Sequence, residues 1–144
     1  VPGYERLLAE VLRGFGRSDD VIVASFHDEA TDRFRAAAPE VCTSAGTAAT
    51  ASFFFAVREG RTPPAMPHVA LQVPPSHEGT VIVDAAFVDA AHEAGVAVHV
   101  WTIDDPDEMR RLLGLGVDGI MTDCPSVLAG VLRAEAAGGG AGLS

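Results

Sequence analysis

VAVHVWTIDDPDEMRRLLGLGVDGIMTD, residues 96–123, holds a strand, a capped helix and a second strand in close succession. Val96–Trp101 is a short, mostly β-branched apolar run beside a glycine, too short for a helix and suited to a buried strand. Asp105 occupies an N-cap position, Pro106 the first helical position, and Glu108 stands three residues past the cap. This pattern predicts a capping box with a carboxylate in place of the usual hydroxyl. Met109, Leu112 and Leu113 form an apolar stripe, Arg110 and Arg111 face outward, and Gly114 and Gly116 end the helix. Val117–Met121 then starts another buried strand. A strand–helix–strand unit with connections this short requires a parallel sheet.

The same alternation runs through the rest of the chain. Tyr4–Gly14 reads as an amphipathic helix, Val21–Ala24 as a strand, and Glu29–Ala38 as a helix capped by Asp28 and stopped by Pro39. Val41–Thr43 is a third β signal, and Ala48–Arg58 is helical, with Phe53-Phe54-Phe55 set to cover a neighbour. Val69–Val73 reads as a strand, Ser76–Thr80 as a polar loop, and Asp84 as the cap of a helix ending near Ala94. Pro125–Ala136 is predicted to be the last helix, with Val127, Leu128, Val131 and Leu132 inward. Residues 1–136 read as one unit, and residues 137–144 as a disordered glycine-rich tail.

Five strands recurring every roughly 21 to 28 residues, each followed by a helix, define an α/β fold. A doubly wound open sheet and a (β/α)8 barrel both satisfy the alternation. No glycine-rich phosphate loop follows any strand, which disfavours nucleotide-binding forms of the first. A full barrel needs eight strands and about 250 residues. A 144-residue chain that opens on a helix is expected to be the last five units of a TIM-type barrel.

Composition narrows the function classes. A hydrophobic share of 48% gives a well-buried core, and a net charge of −10 argues against nucleic acid as partner. The longest apolar run, Thr47–Val57, is too short to span a bilayer, so no membrane segment is predicted; the cytoplasm is the favoured compartment. Cys42 and Cys124 form no CxxC pair and are assigned structural roles.

In a barrel the functional groups gather where strands end. Those ends carry Ser25-Phe26, Thr43-Ser44, Gln72 with Val73-Pro74, Trp101-Thr102 and Thr122-Asp123. Strand parity points Ala97, His99 and Trp101 to the barrel interior and mouth, and Val96, Val98 and Val100 under the helices. Trp101, the single tryptophan, is thereby predicted to be a substrate wall. His99 reads as a hydrogen-bonded interior residue and His92 as a helix-end residue. His27, His68 and His77 read as solvated loop residues, and Asp123 as either a helix cap or a site residue. Asp104, Asp105, Asp107 and Glu108 resemble a metal cluster, but capping and dipole compensation account for them. No metal ligand and no catalytic residue is therefore assigned.

The string VHVWTIDDPDEMRRLLGLGVDGIMTDCPSVL resembles the late signature of the glycerophosphodiester phosphodiesterase family: a strand ending in Trp-Thr, a Met-Arg-Arg-Leu-Leu helix, Gly-Val-Asp-Gly-Ile and Thr-Asp-x-Pro. VIVASF at Val21–Phe26 is similar to the family's mid-barrel strand. The resemblance implies a barrel enzyme that hydrolyses a glycerophosphodiester to an alcohol and glycerol 3-phosphate. It also implies two acid/base histidines and a divalent cation, Ca²⁺ or Mg²⁺, which suits phosphate chemistry. The family's His-Arg-Gly, Glu-x-Asp, following His and later metal-binding Glu belong to the first three strands and have no counterpart here. What the resemblance carries over is a substrate-binding wall of Phe26 and Trp101, with Ser25 and Gln72 nearby. It departs at Cys124, where an Arg is common. The alternative is a degenerate barrel that acts as a non-catalytic binding or interaction module.

Overall fold

The computed structural model describes residues 3–138. Helices α1 (Tyr4–Gly14), α2 (Asp28–Ala37), α3 (Thr47–Arg58), α4 (Ala85–Glu93), α5 (Pro106–Gly114) and α6 (Pro125–Gly138) alternate with strands. The strands are β1 (Ile22–Val23), β2 (Cys42–Thr43), β3 (Ala70–Val73), β4 (Ser76–His77), β5 (Thr80–Val81), β6 (Ala97–Val100) and β7 (Gly119–Ile120). The last helix runs through Gly138, past the predicted end at Ala136; residues 139–144 of the predicted tail lie outside the described residues.

Five parallel strands stand side by side in chain order. β1 pairs β2 (Ile22 with Cys42, Val23 with Thr43), and β3 pairs β6 over four positions from Ala70–Ala97 to Val73–Val100. β6 in turn pairs β7 (His99 with Gly119, Val100 with Ile120). Between β2 and β3, a bridge at Ser44 and Ala70 joins the two halves, where the Val69 N–H donates to the Thr43 carbonyl at 3.0 Å. Among the described residues β1 and β7 do not pair with one another, so the strands form an open arc.

The parity predicted for β6 holds. Val96, Val98 and Val100 are buried beneath the helices, whereas Ala97, His99 and Trp101 are only half-buried on the concave side. The outward side is the main core, in which Leu71, Val98 and Val100 meet Phe53, Phe87, Met109 and Leu112. A smaller cluster of Ala9, Phe34, Ala38 and Val41 joins α1 to α2.

Several expectations about these elements require correction. Ser76–Thr80 is a hairpin, β4 with β5, because Glu78 and Gly79 both take positive φ (47° and 79°) in a two-residue turn. Asp28 does not cap its own helix: its carboxylate accepts from the N–H groups of Ala48 (2.8 Å) and Ala49 (3.0 Å), which start α3. The capping box at α5 is half formed. Asp105 accepts from Asp107 and Glu108 N–H, but the Glu108 carboxylate turns to Arg111 in a two-bond ion pair at 2.7 Å, a stronger partner than a backbone N–H. On α6 only Val131 is deeply buried and Leu128 partly so, while Val127 (36%) and Leu132 (47%) are exposed because no described element covers that flank. Phe55 also differs from its neighbours Phe53 and Phe54: it is 57% exposed.

Candidate functional site

The C-terminal ends of the strands converge on a pocket of about 540 Å³. Phe26, carried just past β1, meets Trp101, at the tip of β6, edge to face with ring centroids 5.9 Å apart. Gln72 lies in register with His99 on the concave side, and its amide donates to His99 Nδ1 at 3.4 Å. Phe26, Gln72 and Trp101 all line the pocket. Ser25 does not; it faces the neighbouring concavity beside Asp28 and Arg33, where its hydroxyl accepts from the His27 N–H at 3.1 Å. Three of the four predicted wall residues therefore come together and the fourth turns away.

The loops around this wall are fixed by specific contacts. Asp28 holds the start of α3 against the β1 end, and a Cβ at Gly46 would lie 2.7 Å from its Cγ, so the close approach requires glycine. Partial burial opposes its charge, yet the two N–H groups of Ala48 and Ala49 keep the carboxyl below its ordinary value. Asp84 caps α4 through Phe87 N–H, and Arg58 bridges Asp84 (2.6 Å) to the Val81 carbonyl (2.8 Å), bracing the hairpin. Gly119 leaves room for His99, whose Cδ2 would sit 2.9 Å from an added Cβ. Asp118 accepts from Val98 N–H and pairs with His92 Nε2, tying β6 and α4 to the start of β7. The Gly-Val-Asp-Gly string is thus a packing device for the β6–β7 junction.

The acidic run after β6 is engaged throughout. Asp104 accepts from the Thr122 hydroxyl and the Asp123 N–H, both at 2.8 Å, so it fixes the β7–α6 corner. Asp105 caps α5, and Asp107 and Glu108 pair with Arg110 and Arg111. Among the described residues no three His, Cys, Asp or Glu side chains converge on a point where a cation could sit, so these residues do not fit a metal. His68 is not a solvated loop residue. It is buried against the Thr43 hydroxyl at 2.9 Å, and burial pulls its pKa down.

Much of the pocket lining escaped sequence reading, notably Phe54 and Phe55 of α3, and His77 and Glu78 of the hairpin. Gly79, between the Ser76-His77 and Thr80-Val81 pairs, was the sequence signal for a tight hairpin turn.

Parallel strands in chain order, with helices on one side and a pocket at their C-terminal ends, define a (β/α)-barrel protein. Comparison with known proteins specifies which kind. The sequence model of the glycerophosphoryl diester phosphodiesterase family matches residues 3–127, and the chain belongs to that family. A Mycobacterium tuberculosis protein named "Probable glycerophosphodiester phosphodiesterase 2" is 35% identical over 120 residues, covering 80% of this chain and 46% of its own length. Two solved structures share the fold at 20% identity. One is a glycerophosphodiester phosphodiesterase from Agrobacterium tumefaciens (TM-score 0.66, 90% of this chain and 52% of that one). The other is an Oleispira antarctica phosphodiesterase in complex with the product sn-glycerol-3-phosphate (TM-score 0.67, 92% and 52%). The chain spans about half the length of these relatives.

Proposed function

We propose that residues 1–136 are the C-terminal five-unit part of a barrel that hydrolyses glycerophosphodiesters, and that this part supplies the substrate wall. In the reaction, water adds to phosphorus, the bond from phosphorus to the alcohol oxygen breaks, and that oxygen leaves with a proton. The products are an alcohol and glycerol 3-phosphate. The observation that carries the reading is the Phe26–Trp101 pair, standing with Gln72 over one pocket at the strand ends in a chain of this family. Two planar rings in edge-to-face contact form a stiff surface against which a substrate is held while chemistry proceeds on the facing strands.

The family generally depends on a divalent cation. The acidic run Asp104–Glu108 is committed to a corner, a cap and ion pairs, which supports assigning the cation ligands and acid/base histidines to three preceding β/α units. The test joins the segment of the M. tuberculosis relative that precedes its matched region to this chain and follows glycerol 3-phosphate release from glycerophosphocholine with Ca²⁺ or Mg²⁺. The joined barrel is expected to turn over and the 144-residue chain alone to be inert. Trp101→Ala is expected to lower kcat/KM by about tenfold or more, in line with loss of a positioning contact. Cation-dependent turnover by the isolated chain, or a well-folded but inactive joined barrel, refutes the proposal.

A further inference from the structure

The pocket beside the aromatic wall has a composition that discriminates among possible alcohols. Its buried lining is Ala45, Phe54 and Val73 with the half-buried Ile82, and its open rim is Phe26, Phe55 and Trp101. Phe26 (69%) and Phe55 (57%) are among the exposed large apolar side chains of the chain, and both stand at this one opening. Exposed apolar side chains scattered singly need no explanation, but two at the rim of one concavity mark a surface meant to be covered.

Three ligand chemistries can be weighed against this lining. A phosphate calls for arginine, lysine or a row of N–H donors. Among the described residues no arginine or lysine lines the pocket, and the one carboxylate there, Glu78, would repel an anion. A quaternary ammonium calls for aromatic faces free to surround it within about 6 Å. Glu78 would favour a cation, but among the described residues the rings form two separate edge-to-face pairs, Phe26 with Trp101 and Phe54 with Phe55 at 5.4 Å, with no aromatic contact joining them into one cage. The Phe54 face is already occupied by the Arg58 guanidinium, 4.9 Å from its centroid. A hydrocarbon calls only for apolar walls and volume. About 540 Å³ falls within the range that houses drug-sized ligands, well beyond the needs of a small polar alcohol.

The geometry points to an alkyl- or acyl-bearing leaving alcohol: this pocket takes the hydrocarbon part of an amphiphilic glycerophosphodiester. The inference rests on the diesterase reading and adds the class of alcohol. Gln72 and the hairpin's Thr80 supply the neutral polar contacts where chain meets head group.

Trp101, the single tryptophan, reports occupancy directly. Alkylphosphoglycerols of increasing chain length, each below its micelle threshold, are titrated into the 144-residue chain and emission is followed. A saturable blue shift is expected, with affinity rising about three- to fourfold per methylene until the pocket is full. Glycerophosphocholine is expected to bind at least tenfold more weakly than the longest alkyl diester. Phe55→Ser, at an exposed position, and Ala51→Phe, which fills the lining, are each expected to weaken alkyl binding about tenfold. The same preference is read as kcat/KM in the joined barrel, at least tenfold in favour of the alkyl diester and lost in Phe55→Ser. An equal response to glycerophosphocholine, affinity flat with chain length, or binding unchanged in both variants overturns the inference. Alkyl binding without turnover in the joined barrel keeps the pocket and refutes the enzyme reading. Turnover of glycerophosphocholine with no alkyl preference refutes the pocket assignment alone.

Discussion

Helices α5 and α1 are both amphipathic and both begin beside a loop, yet they end up in different surroundings. α5 stands mid-arc: Met109 and Leu112 are fully buried, and Arg110 and Arg111 are paired outside. α1 stands at the arc's end. Ala9 packs on Phe34 and Ala38, while Tyr4 (69%), Leu7 (55%), Val11 (45%) and Phe15 (79%) remain exposed. α6 at the other end repeats the pattern with Val127 and Leu132. A mid-arc helix has apolar residues for the sheet and for two neighbours, and finds all of them. An end helix carries the same residues and meets one neighbour. The electrostatics differ in the same way. α1 is tied to α2 and the following loop by exposed ion pairs, Glu5–Arg33 (2.7 Å) and Arg13–Glu40 (2.6 Å), whereas mid-arc Asp118 takes a backbone N–H from β6.

The largest test of this contrast is truncation. Phe87→Ala or Leu112→Ala is expected to cost about 3–5 kcal/mol, enough to unfold a marginal chain, because each vacates a fully buried volume. Leu7→Ala is expected to stay within about 0.5 kcal/mol while reducing self-association, since the exposed end faces are where copies of the chain would meet. Urea denaturation and sedimentation measure the two effects. A Leu7→Ala cost equal to that of Leu112→Ala would show that the ends are packed like the middle.

A smaller effect concerns the clamp between the β1 end and α3. Asp28→Ala removes the acceptor for Ala48 and Ala49 N–H and is expected to cost about 1–2 kcal/mol. Gly46→Ala places a methyl against the Asp28 carboxyl and is expected to destabilise the parent chain more than the Asp28→Ala background. Additive losses would mean that the two residues do not share one contact.

The smallest effect separates the two regions by pH and salt. Glu5 and Glu40 have pKa values lowered from 4.5, for Glu5 by its own backbone N–H and Arg33, for Glu40 by Arg13. Asp118 is lowered from 3.8: burial opposes the charge, but the Val98 N–H and His92 prevail. A depressed carboxylate contributes stability that is complete above its ordinary value and disappears as pH falls through the lowered one. On acidification the α1 end is therefore expected to loosen first, below about pH 4.5, and the β6–β7 junction later, below about pH 3.8. Added salt should weaken the first and spare the second. Amide hydrogen exchange along α1 and β6 resolves the order; simultaneous loosening would contradict it.

These regions also divide what the sequence could reveal. Strand parity at β6 and the caps Asp105 and Asp84 were readable, because each depends on residues within one turn or one strand. Asp28 was misread because two of its possible partners lie twenty residues away, and a local rule cannot see that α3 starts beside it. Glu108 followed the capping-box spacing, yet Arg111 offered it a charged partner on the same helix face. His68 looked like loop because burial against Thr43 is a tertiary fact. In the site, strand ends and the family resemblance brought Phe26, Gln72 and Trp101 together, but the same reasoning also placed Ser25, which turns to the neighbouring concavity. Phe55 and His77 could not be placed, since their positions depend on how α3 and the hairpin lean over the barrel mouth.

The strand order carries a kinetic corollary. Every strand of the arc pairs with the one before it in the chain, across a single helical crossover. Among the described residues no pairing within the arc waits for a distant segment to return, so each of these loop-closure entropies is small and similar. The arc can therefore assemble stepwise, one β/α unit docking on the last, and β3–β6, its longest ladder, is the natural starting point.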